Sequence, residues 1–256
     1  ADTPTSHWSF LYSLLVAGVY AVAGPHPLAV RLVQAVLGGL LLPWMVYRLA
    51  RTMFSGGDGD RAEVVAVVAA FFAAVYGYFI LYSATLMTET AFIVVLLWSL
   101  ERALALANRI RTRETLPAPG SALALALTLG LSLGLATLMR QSILPWLPLL
   151  FLYLLWLGWR RGQLRRATVS LVLAGLVVVV FVLPWTVRNY LVHDDFLLLN
   201  SSAGYAMYSA QHPMHGSRFS EFAAAPLPEG VWGGPEPEMD RALMRQGIQF
   251  VPVSYT

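Results

Sequence analysis

Three charged residues stand where long apolar runs end: Glu89 within Thr88-Glu89-Thr90, Arg140 within Met139-Arg140-Gln141, and Arg188 beside Asn189. A charge at the centre of a membrane helix costs about 2.5 to 3.5 kcal/mol on insertion scales, so charges in these places are expected to face one another or a wet cleft. Arginine presents a planar fork of donors that fits phosphate oxygens, and a carboxylate can accept a proton or orient an arginine. Two arginines and one glutamate make a net positive site suited to a phosphate ester. Each residue also has a plainer reading. Glu89 in a first helical turn gains about 0.3 to 1 kcal/mol from the helix dipole, Arg140 can pair with Glu89, and Arg188 can anchor a helix at the interface. The expectation is that the three heads meet in one cavity, Glu89 as a carboxylate facing a donor or acceptor and Arg140, Arg188 and Asn189 as substrate contacts, with Tyr82, Tyr205 and His7 as further substrate contacts on the same side.

The elements that must position them are apolar. Of 256 residues, 57% are hydrophobic and 12% charged, against about 25% charged in soluble proteins, and the mean hydropathy is +0.63. The class is a polytopic membrane protein. All 17 basic residues are arginine, and they cluster beside apolar runs, which argues against nucleic acid as the reason for the net charge of +3. Without cysteine there is no disulfide framework, thiolate metal site or cysteine nucleophile. His193-Asp194-Asp195 and Gln211-His212-Pro213-Met214-His215 lack zinc-type helical spacing, so no metal ligand is assigned; no cofactor is certain, and a divalent metal is left open.

Runs of about 20 apolar residues, enough to cross the hydrocarbon core, are read at Leu28–Tyr47, Ala62–Tyr82, Leu86–Leu106, Ala122–Met139, Ile143–Trp159 and Thr168–Val187. Trp8–Ala23 is too short and is expected to lie in the interface. The fold expected is an all-α transmembrane bundle of six full spans and one short helix. Residues 1–188 form the membrane domain and residues 189–256 a non-cytoplasmic region. Pro184 to Tyr190 is read as the exit from the last span, followed by a turn and a short strand-like piece. The connections from Arg48 to Arg61, Arg102 to Arg113 and Arg160 to Arg166 hold 11 of the 17 arginines and are placed in the cytoplasm. Gly56 to Asp60 is read as a polar loop and Pro117 to Gly120 as a linker.

With these residues in view the chain resembles a known family. Leu11-Tyr12-Ser13 to Tyr20, Ala29-Val30-Arg31-Leu32-Val33-Gln34-Ala35, Thr88-Glu89-Thr90, Leu138-Met139-Arg140-Gln141, and Pro184-Trp185-Thr186-Val187-Arg188-Asn189-Tyr190 followed by Gly204-Tyr205 resemble the polyprenol-phosphate-sugar-dependent membrane glycosyltransferases of the GT-C fold. These are the protein mannosyltransferase-like and lipid A aminoarabinose transferase-like enzymes. Gln141 stands where the family has proline, and Ser9-Phe10 where it often has a proline pair. The resemblance implies inverting transfer of a sugar from a polyprenyl phosphate to an acceptor outside the cytoplasm, with membrane lipid as surroundings and a multi-pass, bacterial inner-membrane-type location. It also implies a catalytic base in a first outer loop, which would precede Ala1, so the chain reads as a fragment. Glu89 matches the family's second acidic position, so the resemblance implies a catalytic site role for it. The other reading is a non-catalytic transport or assembly subunit that binds a lipid-linked intermediate.

Overall fold

The computed structural model describes residues 5–54, 59–112, 119–215, 225–228 and 234–251. Among them the chain is helical, with no strand. They form two compact units, one of Phe10–Val182 and one of Ala1–Ser9 with Leu183–Thr256, each taken through its described residues.

The larger unit is a helical membrane bundle. Helix α1 (Phe10–Ala23) is 14 residues long, about 21 Å, and cannot span. A turn through Gly24, at φ 77, leads into α2 (Pro27–Val36), which starts on a proline. The π-helical turn Leu37–Leu41 joins α2 to α3 (Leu42–Phe54), so the first span runs from Pro27 to Phe54. Helices α4 (Gly59–Val75) and α5 (Gly77–Ala84) meet at a 50° bend. Then come α6 (Glu89–Thr112), α7 (Pro119–Met139), a 3-10 turn at Gln141–Ile143, α8 (Trp146–Arg160) and α9 (Leu164–His193). Among the described residues five helices are long and apolar enough to cross, and six spans result if α4 and α5 make one.

Several sequence boundaries move. Gly59-Asp60 and Pro119-Gly120 are helical rather than loop, and the remaining residues of those two loops lie outside the described residues. The second span is broken at Tyr76, whose backbone is extended. Helix α6 starts at Glu89 rather than Leu86, because Thr85 to Thr88 form the connection. Arg102, expected in the basic connection, lies inside α6.

The centre of the larger unit is α7, whose apolar window is 61% buried where those of the other spans are 28 to 39% buried. Small residues explain this. A Cβ on Gly130 would lie 2.6 Å from the Ala174 carbonyl oxygen, and one on Gly134 3.0 Å from the Phe181 ring, so α9 packs directly on the α7 backbone. This is the small-xxx-small spacing by which membrane helices approach closely. Hydroxyls in the apolar helices donate back to the preceding turn, as Ser132 does to Leu129 O at 2.9 Å and Thr137 to Leu133 O at 2.8 Å, which removes an unpaired donor from the core.

The smaller unit is built on the last turns of α9, with α10 (Ala203–Gln211) and α11 (Glu236–Phe250). Helix α9 does not stop at Val187. It carries Pro184 internally and continues through Arg188, Asn189 and Tyr190 to His193. The polar groups of Asn189 find protein partners, so the helix has no need to end where the polar residues begin. The strand-like piece after Asp195 is irregular chain. Helices α10 and α11 touch through glycine: a Cβ on Gly204 would stand 1.8 Å from Asp240 O, and one on Gly247 2.6 Å from the Tyr208 amide.

Gly130→Val should lower the detergent-solubilised unfolding midpoint, by overpacking worth about 1 to 3 kcal/mol. Gly18→Val, with nothing within 4 Å of the added Cβ, should change it far less. Equal effects in a thermal unfolding series would show that the α7–α9 approach does not limit stability.

Candidate functional site

Helices α6 and α7 run antiparallel, which brings the start of one to the end of the other. Arg140 Nη1 donates to Glu89 Oε1 at 2.5 Å, and at the opposite ends Arg109 Nη1 donates to Ser121 O at 3.1 Å. Glu89 is the first residue of α6, and its side chain is 13% exposed; that of Arg140 is 40% exposed. The Thr88 hydroxyl donates to Glu89 Oε2 at 3.3 Å. The Arg140 guanidinium also lies 5.8 Å from the Phe92 ring centroid, one turn into α6. Arg140 leaves α7 with extended backbone at φ −150, ψ 117, which turns its side chain back toward α6. Among the described residues only its Nη1 is engaged. The other edge of the guanidinium keeps its donors.

Behind the pair is a neutral support. Gln34, fully buried, donates from Nε2 to Met87 O at 2.8 Å and accepts from the Tyr12 hydroxyl at 3.4 Å. It therefore ties α1 and α2 to the short connection that ends at Glu89, and Tyr12 is within electrostatic reach of the Glu89 carboxylate. A Cβ on Gly38 would meet Ser83 Oγ at 1.9 Å and Thr90 Cγ2 at 3.2 Å, so the π turn is pressed against α5 and α6 beside the site. The signal available was a glutamine inside an apolar span, where a polar side chain needs a named partner. Tyr82 lies in the last turn of α5, with its ring 6.2 Å from that of Tyr78.

A second buried carboxylate lies farther along α6. Glu101, 4% exposed and 12 residues into α6, accepts from Arg48 Nη2 at 2.7 Å and from Arg102 Nε at 2.5 Å. It joins α3 to α6 and belongs to the scaffold.

The smaller unit gathers the other expected residues. Asn189 is 1% exposed; its Nδ2 donates to Leu199 O at 2.6 Å and Leu197 O at 3.3 Å, while its Oδ1 accepts from Ser6 Oγ at 2.8 Å and Arg188 Nη1 at 3.0 Å. Arg188 Nη1 also donates to Ser6 Oγ at 2.8 Å, and Ser6 Oγ is 2.8 Å from His193 Nε2. The Ser6 amide and the Ser201 hydroxyl donate to Glu236 Oε2 at 2.7 and 3.1 Å. Burial alone would raise the Glu236 carboxyl, but the hydrogen bonds from Thr5, the Ser6 amide and Ser201 outweigh it and hold the group below its ordinary value. His7 and Tyr205 meet edge to face with centroids 6.1 Å apart. Asn189 thus serves as a structural hub, and Arg188 keeps an edge free of protein partners among the described residues.

Among the described residues no three His, Asp or Glu side chains come together to hold a metal ion. The one carboxylate of the α6–α7 site is occupied by an arginine. These residues do not fit a divalent cation, and no step is assigned to one.

A family model described as dolichyl-phosphate-mannose-protein mannosyltransferase matches residues 6–187, which include Glu89, Arg140, Gln34 and Tyr82 and end just before Arg188. The chain belongs to that family. It is therefore a multi-pass membrane glycosyltransferase of the GT-C type. Comparison with curated proteins and with solved structures returned no match.

Two predictions follow from this geometry. A double-mutant cycle with Glu89→Gln and Arg140→Gln should give a coupling of about 1 to 2 kcal/mol in unfolding, between the values for exposed and buried pairs; no coupling would mean that the pair does not hold α6 to α7. The lowered Glu236 carboxyl means that the unfolded chain binds its proton more readily, so its stabilising effect is present above the ordinary carboxylate value and is lost as pH falls through the lower folded value. Protection of the Ser6 amide against hydrogen exchange, corrected for intrinsic rate, should fall once pH drops below the ordinary carboxylate range. Glu236→Gln should remove that dependence.

Proposed function

We propose that the chain binds a polyprenyl-phosphate sugar, with Arg140 against the phosphate, and takes part in transfer of the sugar to an acceptor on the non-cytoplasmic side. The observation that carries the reading is the Glu89–Arg140 pair at one end of an apolar bundle, with the Arg140 side chain 40% exposed and only its Nη1 engaged among the described residues. Glu89 Oε1 fixes the fork, and the remaining N–H groups are left to donate to an anion. In the transfer the acceptor oxygen or nitrogen attacks the sugar's anomeric carbon, the bond from that carbon to the phosphate oxygen breaks, and the lipid phosphate leaves with the electron pair. Charge grows on the phosphate as the bond breaks, so a preorganised arginine favours the transition state.

A second role for Glu89, as the group that receives the acceptor's proton, is favoured by one contact: Oε2 accepts only the Thr88 hydroxyl among the described residues. Arg188, with its partner-free edge, is a second candidate for phosphate within its own unit, with Asn189 holding it, and His7 and Tyr205 offer aromatic edges to a sugar. The family match supports a sugar-transferring chemistry; a non-catalytic subunit that binds a lipid-linked intermediate would use the same arginine. The arginine-rich ends at Arg48, Arg109 and Arg160 to Arg166 are assigned to the cytoplasm and the Glu89–Arg140 end to the outside.

In proteoliposomes, Arg140→Ala should weaken binding of a short-chain polyprenyl phosphate about tenfold or more, as loss of charge-assisted hydrogen bonds predicts. Arg140→Lys should restore part of it, and Glu89→Gln should weaken it less than Arg140→Ala does. Unchanged binding in all three removes the phosphate assignment. For orientation, Thr85→Cys should label with an impermeant maleimide from outside and Arg161→Cys only after permeabilisation; the reverse pattern would invert the topology.

A further inference from the structure

At the opposite end of α6 from Glu89, about 30 Å away along the helix, a cavity of about 480 Å³ opens between the ends of α6 and α7 and the turn from α8 into α9. Its walls include Arg109, Arg165 and Arg166, and its apolar lining includes the buried side chains of Leu106, Ile110 and Leu125. Among the described residues no acidic side chain lines it. Arg165 and Arg166 are exposed and pair with no carboxylate among the described residues, while Arg109 spends one donor on Ser121 O. Helix α9 begins at Leu164 with no acidic residue in its first turn, so its positive end adds to the three arginines.

The level of this cavity is marked independently. Arg160 stacks over the Trp156 ring at 5.1 Å, and Arg111 Nη2 donates to the Tyr153 hydroxyl at 3.0 Å; Trp156 and Trp159 are exposed at 48% and 67%. Aromatic residues interleaved with arginine belong at the headgroup level of a bilayer. We propose that this cavity is a binding site for the acidic headgroup of a phospholipid, separate from the sugar-transfer site. The arginines take the phosphate, and the apolar floor takes the start of an acyl chain, which leaves along the exposed Val169 and Val172 face of α9. A free phosphate would use the arginines and leave that floor unfilled. Basic pockets between membrane helices at an arginine-rich end suit lipid headgroups on the same grounds.

The test uses the purified chain in detergent micelles doped with phosphatidylglycerol or phosphatidylcholine, read by native mass spectrometry. Retention of phosphatidylglycerol should exceed that of phosphatidylcholine by about tenfold or more, at least the effect of one to two arginines beside an acidic headgroup. The Arg165→Gln, Arg166→Gln double variant should bring the ratio close to one. Ala122→Trp, which fills the cavity from the α7 wall and keeps every charge, should do the same. Glycerol phosphate at millimolar concentration should displace no lipid. Equal retention of the two lipids by the unaltered chain overturns the proposal, as does a ratio unchanged in both variants. Loss in the arginine variant alone leaves only diffuse attraction to charge, and displacement by glycerol phosphate leaves a free-anion site; either result also overturns it.

Discussion

A charge inside a membrane bundle is tolerable only when another group answers it, and that requirement organises the larger unit. The fully apolar faces can slide against one another or against lipid with little penalty, because lipid tails are as apolar as leucine. The ion pairs cannot slide. Glu101 between Arg48 and Arg102 registers α6 on α3, and Glu89 with Arg140 registers α6 on α7. Packing then completes what the charges define. Ser99 and Ser132, both fully buried, let the helices approach, and their hydroxyls turn back onto their own backbones.

The smaller unit solves a related problem with neutral groups. The chain leaves the regular part of α9 and must satisfy the carbonyls of an irregular segment. Asn189 accepts and donates at once, and Thr186, one turn earlier, donates to Leu198 O at 2.8 Å. Two side chains on one helix face thus replace the ladder that a strand would have provided. Asp240 does the same for α10, accepting from the Gly204 amide at 2.6 Å where a helix start leaves an unspent donor. Arg241 of α11 pairs with Asp195, closing the loop that follows α9.

The spans, their number and the involvement of Glu89 with Arg140 were legible because they rest on length, hydropathy and the rarity of charge in apolar runs. Local geometry was less so. The break at Tyr76 follows no proline, and Gly77 alone is a weak signal among many membrane glycines. The extension of α9 through Arg188 was hidden because polar residues after an apolar run look like an exit; the carbonyls that satisfy Asn189 come from residues eight and ten positions later, beyond any periodicity argument. Glu101 was readable on the same grounds as Glu89 but was obscured by the adjacent Arg102, which resembled the start of a basic loop. Gln34 needed knowledge of the connection before Glu89 to acquire a partner.

The π turn at Leu37–Leu41 sits between two such anchors on one continuous span. Gln34, before it, addresses the Met87 carbonyl, and Arg48, after it, addresses Glu101, about 20 Å farther along α6. A regular helix would fix the angle between those two side chains by their spacing alone. A wider turn changes that angle once, locally, so the segment above it and the segment below it are phased separately. In mechanical terms the span is two rods coupled by a spacer, and substitutions that reshape the contact around Gln34 can be absorbed at Gly38 and Gly39 without rotating Arg48 away from its carboxylate.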